Sequence, residues 1–217
     1  MLIGRMIVII NQEYLNKFEY LNKFMETKSL KGIPEEYITA EMCYTAITRL
    51  GSFEFAIVPE KFKTHEMCLI AVTFNGMNIQ YVPEQLLTND ICVAAVQNTG
   101  MSLRFVPKEK LNRDICIAAV KNDGPAIIYI PREMIDETLC RTALVYGNGN
   151  TTLKYIPQEL LTYELCEIAV KHFCPINLVP QDFLTPELVQ LHNELNKGGV
   201  IITQPQDENE LSGSRHI

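Results

Sequence analysis

Apolar and polar positions along this chain repeat with a long period. From about residue 33 to residue 200, the same pattern returns roughly every two dozen residues. Each unit runs close to [VI]-P-E-x-L-x-T-x-[ED]-[IML]-C-x-x-A-[VI], then a turn, then L-x-[YF]. Units start near Ile33, Val58, Val82, Val106, Ile130, Ile156 and Val179. Within a unit, Ile91, Cys92, Ala95 and Val96 fall inside about 140° of one another at about 100° per residue. Met67, Cys68, Ala71 and Val72 repeat that stripe, as do Ile115, Cys116, Ala119 and Val120. No unit can bury such a stripe alone, but stacked neighbours can. The predicted fold is all-α: a right-handed α-solenoid of about seven two-helix repeats, each a short helix followed by a longer one.

Local signals set the register. Pro34, Pro59, Pro83, Pro107, Pro131, Pro157 and Pro180 mark the first turn of the short helix, where a missing N–H costs nothing. Glu35, Glu60 and Glu84 follow, at the positive end of the helix dipole. The longer helix starts at Thr39, Thr64, Thr88, Asn112, Asp136, Thr162 and Thr185, all N-capping residue types. It is predicted to end at Gly51, Gly76, Gly100, Gly124 and Gly147, acting as C-caps. A small residue at Ala46, Ala71, Ala95, Ala119, Ala143 and Ala169 lets neighbouring helices approach. Tyr81, Phe105, Tyr129 and Tyr155 are expected to stack as a ladder between repeats.

The repeat array spans 33–200, flanked by an N-terminal cap segment, 1–32, and a tail, 201–217. Residues 13–24 are a perfect duplication, EYLNKF EYLNKF. Tyr14, Leu15, Phe18, Leu21, Phe24 and Met25 have helix-like spacing, as expected of a cap helix over the first repeat. The tail is polar and reads as flexible.

Charge and cysteine content narrow the function classes. The chain of 217 residues is 47% apolar, with net charge −7. Without a basic run, it lacks the footprint of a nucleic-acid binder. The apolar run near the N-terminus is too short for an export signal or a membrane span, and nothing else approaches 18 apolar residues. The first six of seven cysteines lie 25, 24, 24, 24 and 26 residues apart. An odd count without a signal peptide argues against a disulfide framework, and no spacing matches a zinc site.

The core Cys92 to Gly100, repeated as Cys116 to Gly124, resembles a C/L-x-A-A-V-x-N-x-G family of tandem helical repeats catalogued as a domain of unknown function. The resemblance covers roughly residues 33–178 and implies a fold rather than an activity. Similar repeats occur in secreted effectors of intracellular bacterial pathogens and in some viral proteins, which implies a host-interaction role. The last unit departs from the pattern: Val189 replaces the cysteine and His192 the alanine. That marks it as a capping repeat.

Candidate chemistry is sparse. The ladder cysteines face the core, and Cys174 lies off the ladder near His172. His65 occupies a variable, solvent-facing position. The carboxylates are absorbed by helix starts. The enlarged loop at 146–152 has neither the preceding strand nor the lysine of a phosphate loop. No catalytic, cofactor-binding or metal-ligating residue is assigned.

One feature exceeds the needs of the core. The residue after each cysteine reads Tyr44, Leu69, Val93, Ile117, Arg141 and Glu167. Either a neighbouring short helix covers Tyr44, Leu69, Val93 and Ile117, or they form the candidate partner-binding ridge. The expected function is therefore a protein–protein interaction module whose partner is another protein, without nucleic acid, cofactor or membrane span. It would act in the cytoplasm, or in a host cell reached without an N-terminal signal peptide. An enzyme with an unrecognised site on the concave face or in the 146–152 loop is the alternative. A self-associating, architectural component is a third.

Overall fold

The computed structural model describes residues 2–146 and 151–198, with side chains at 12–49, 54–146 and 151–197. Among the described residues every element is helical. The α-helices are α1 (Leu2–Thr27), α2 (Ala40–Leu50), α3 (His65–Phe74), α4 (Asn89–Asn98), α5 (Arg113–Asn122), α6 (Glu137–Tyr146), α7 (Tyr163–Lys171) and α8 (Pro186–Gly198). The chain forms two compact units, residues 1–118 and 119–217. In the first, α2, α3 and α4 pack in sequence order; in the second, α6, α7 and α8 do. This is the helical repeat solenoid that the periodicity predicts. The expected tail, 201–217, lies outside the described residues.

Six of the seven repeats have a third element among the described residues. A one-turn 3-10 helix follows every repeat proline, as at Glu84–Leu86, and the α-helix comes next. A second 3-10 helix, such as Gly76–Tyr81, then occupies the stretch expected to be a turn plus L-x-[YF]. Gly76–Tyr81 packs against both α3 and α4, so it fills the gap between neighbouring α-helices. Its buried residues include Ile79.

The prolines sit one position earlier than expected. Each is the residue before its 3-10 turn, with ψ between 131° and 146°. Its carbonyl accepts from the N–H three residues on, as in Leu86 to Pro83 at 2.9 Å. The ring fixes φ for that extended entry, and the absent N–H lies outside the helix.

The caps fall where the sequence places them. The side chains of Thr39, Thr64, Asn112, Asp136, Thr162 and Thr185 each accept from the backbone N–H three residues later, at 2.8–3.3 Å. Thr88 makes no such bond; its hydroxyl donates to Asp90. The predicted stripe is the buried one. Ile91, Cys92, Ala95 and Val96 are fully buried, and the equivalents in α3, α6 and α7 are buried with them. Burying one such Ile or Val contributes on the order of 1.5–3 kcal/mol. The last helix buries Leu188 but leaves Val189 and His192 half-exposed, consistent with a terminal, capping unit.

The glycines do not act as C-caps. α3 ends at Asn75, whose φ of −153° is extended, and the one described glycine with positive φ is Gly32. Gly76 is glycine for closeness: a Cβ there would land on the Ala95 carbonyl oxygen and 3.0 Å from Thr99 Cβ. The Gly76 N–H donates to Asn98 Oδ1 at 2.7 Å, and Asn98 Nδ2 donates to the Thr73 carbonyl at 2.9 Å. The glycine and the asparagine of the N-x-G motif thus join α3 to α4. In the second unit, a Cβ on Gly124 would meet the Ala143 carbonyl oxygen at 2.5 Å and the Thr152 side chain. Gly147 lies outside the described residues.

The expected aromatic ladder is also replaced. Among the described residues, the ring pair that stacks is Tyr20 on Tyr37, with centroids 5.0 Å apart. Phe105 is covered by Arg104 at 4.5 Å and Tyr155 by Lys154 at 4.7 Å. Tyr81 is exposed, and Phe105, Tyr129 and Tyr155 are half-buried. The rings therefore lie at the edge of the stack, and the near partner of Phe105 and of Tyr155 is a cation.

Candidate functional site

The ridge begins on α2 and continues on α3, α4 and α5, one turn after the cap. Each of its residues directly follows a buried cysteine, which turns it about 100° from that cysteine and off the buried stripe. Tyr44 is 45% exposed. Leu69, Val93 and Ile117 are half-buried, neither sealed in the core nor fully in solvent. In the second unit the same position carries Arg141 and Glu167. Arg141 bridges Glu137 at 3.1 Å and Glu164 at 3.0 Å, while Glu167 pairs with Lys171 at 2.8 Å. The Arg141 pairing holds the Glu164 carboxyl below the usual carboxylate range.

The cysteines are packing groups. All seven are buried. Burial pushes Cys43, Cys68, Cys116, Cys140 and Cys174 up to about 11 and raises Cys92 and Cys166. A nucleophile needs the opposite shift. Cys174 follows Phe173, which takes a left-handed φ of 65°. The Cys174 N–H donates to the Ala169 carbonyl at 2.9 Å, closing the end of α7. His172, half-buried, has its pKa lowered by burial.

His65, Thr88 and Asp90 meet on the surface of the first unit. His65 Nε2 lies 3.1 Å from Thr88 Oγ1 and 3.1 Å from Asp90 Oδ2. The Thr88 hydroxyl donates to the Asp90 carboxylate. An activated hydroxyl would need the imidazole as its acceptor and the carboxylate on the other ring nitrogen. Here both groups meet one nitrogen, so the cluster ties α3 to the cap of α4. The Thr88 hydrogen bond, helped by His65, holds the Asp90 carboxyl below its ordinary value. Among the described residues, no group of three or more His, Cys, Asp or Glu is placed to hold a metal ion. No described helix is long and apolar enough to cross a membrane.

Two features escaped the sequence pattern. The first is a buried polar position, five residues before the repeat proline: Glu54, Asn78, Ser102 and Thr152 are all buried there. Glu54 accepts from Ser29 Oγ and from the Leu30 N–H, both at 2.8 Å, and ties the end of the cap segment to the array. Asn78 donates to the Ala71 carbonyl at 2.9 Å. The proline register would have aligned these residues, but their varied chemistry hides the shared position.

The second is the cap helix itself. Of its apolar residues Phe24 is buried, whereas Tyr14, Leu15, Phe18, Leu21 and Met25 are exposed. α1 therefore rests on the first repeat through Phe24 and Tyr20 and leaves an apolar stripe open. A groove of about 350 Å³ runs between α1 and α2, floored by Leu21, Phe24, Met25 and Met42.

Comparison with known proteins adds a family without an activity. Residues 64–111 and 89–135 match the model of a family described as Domain of unknown function (DUF4116). Each match is about two repeats long, and the second starts about one repeat after the first. The matched stretch contains the Cys92 to Gly100 core and is consistent with the resemblance read from it. No curated protein and no solved structure matches it.

Proposed function

We propose that this chain is a protein-binding module, and that Tyr44, Leu69, Val93 and Ile117 form part of the surface that meets its partner. One observation carries the proposal: the ridge position is apolar and partly exposed in the first unit, but carries Arg141 and Glu167 in the second. The repeat folds with either kind of residue there, so the fold alone does not require four apolar ones. Contiguous, partly exposed apolar side chains are a mark of interaction surfaces. The partner is another protein, and the site of action is the cytoplasm of the producing cell or of a host. An effector role in such a host is the biological setting that the repeat resemblance favours.

The test is the double substitution Leu69→Asp with Val93→Asp, assayed by affinity capture from candidate host lysates with mass spectrometry. The helical circular dichroism should persist while capture of the specific partner falls by at least about tenfold, the scale of a lost interface anchor. Unfolding of the double variant would show that the ridge belongs to the core, and the proposal would fail.

A further inference from the structure

We propose that the groove between α1 and α2 is a second docking surface, separate from the ridge, and that it takes an amphipathic α-helix with an acidic residue at each end of an apolar face. Lys17 on α1 and Lys28, the residue just after α1, both line the groove, eleven residues apart along the chain. At about 1.5 Å per residue, that separation is roughly 16 Å, or three turns. Leu21, Phe24 and Met25 lie between them along the chain, and Met42 of α2 also lines the groove, so the α1 side reads cation, apolar, cation.

Among the described residues neither cation has a carboxylate partner. Lys17 makes no hydrogen bond or ion pair among the described residues. The Lys28 ammonium meets Met25 Sδ at 3.7 Å and lies 5.9 Å from the Phe24 ring centroid. Lys28 ends α1 with a left-handed φ of 57°, where glycine is the unstrained choice. In a chain of net charge −7, two unpaired lysines bordering one apolar groove form a local inversion of charge. Glu41 also lines the groove, so a third acid on the occupant near it would be disfavoured.

This spacing selects the occupant. A fatty acid carries one anion and satisfies one lysine. A three-turn helix with acids eleven residues apart reaches both, and its apolar face fills the floor in the helix-in-groove manner. The exposed side chains of Tyr14, Leu15 and Phe18 extend the apolar surface along α1.

A fluorescein-labelled, stapled helical peptide with two glutamates eleven residues apart and leucines between them is the probe, read by fluorescence anisotropy on the full chain. The peptide should bind, and Lys17→Glu with Lys28→Glu should weaken it by about tenfold or more. A matching peptide with lysines in place of the glutamates should show the reverse preference for the double variant. Both substitutions lie outside the core, and unchanged circular dichroism confirms the fold. Equal affinity of both peptides for both proteins would overturn the proposal. So would displacement of the peptide by decanoate with the same dependence on the two lysines. A dimer by sedimentation that Leu21→Asp dissociates would also overturn it, because a second copy would then fill the groove.

Discussion

One position of the repeat carries apolar residues along α2 to α5 and charged residues on α6 and α7. The neighbouring core positions do not change between the two regions: a cysteine and an alanine are buried in each of these helices. The pair of regions separates what the repeat needs from what it tolerates. The Cys/Ala stripe is needed because each helix must fit the next. The residue after the cysteine is tolerated, since Arg141 and Glu167 find partners on their own surface. An apolar residue at such a position answers to something other than the repeat.

The largest expected effect probes what both regions share. An unfolded thiol ionises at about pH 8.5, whereas burial holds five of these cysteines at about 11. Between those values the unfolded chain releases protons that the folded chain keeps, so stability falls as pH rises. Each thiol contributes up to about 1.4 kcal/mol per pH unit across that window. Chemical denaturation between pH 8 and 11 should show a steep loss, shallower in Cys92→Ala with Cys116→Ala. An equal slope in that variant would mean that the thiols are not the titrating groups.

A smaller effect tests the inter-repeat fit in each unit. Gly76→Val and Gly124→Val both drive a side chain into a facing carbonyl and should each cost about 3 kcal/mol, read from thermal melts. A cost in one unit alone would show that the two are packed by different rules.

The smallest effect tests tolerance. Arg141→Ala removes an exposed pair network and should cost no more than about 0.5 kcal/mol, with the cost fading at high salt. A loss of several kcal/mol would mean that the charged ridge is structural, and the contrast with Leu69 and Val93 would lose its force.

Much of the fold was legible before the structure. The proline and cysteine spacing gave the register, and the buried stripe in α3, α4 and α5 matched the angular assignment residue by residue. Six of the seven named caps formed as local chemistry dictates. Thr88 did not cap: its hydroxyl is engaged with the Asp90 carboxylate and His65, and no bond to the N–H three residues on forms. The glycines were legible as obligatory but not for their reason: a short residue after a helix fits a left-handed cap and a close approach equally well. The ridge could be named as a line of residues, but its half-burial depends on how far each neighbour covers it. The open stripe of α1 was not legible at all, because apolar spacing predicts a helix face without saying what meets it.

The sequence by itself determined the repeat, its register, its caps and the stripe each helix buries, because these follow from interactions within about two dozen residues. The tertiary structure alone decided that Gly76 must lie against the Ala95 carbonyl, that Glu54 holds the cap segment, and that Lys17 and Lys28 border an open groove. Those outcomes depend on distances between elements, and a linear pattern of residue types does not carry distances.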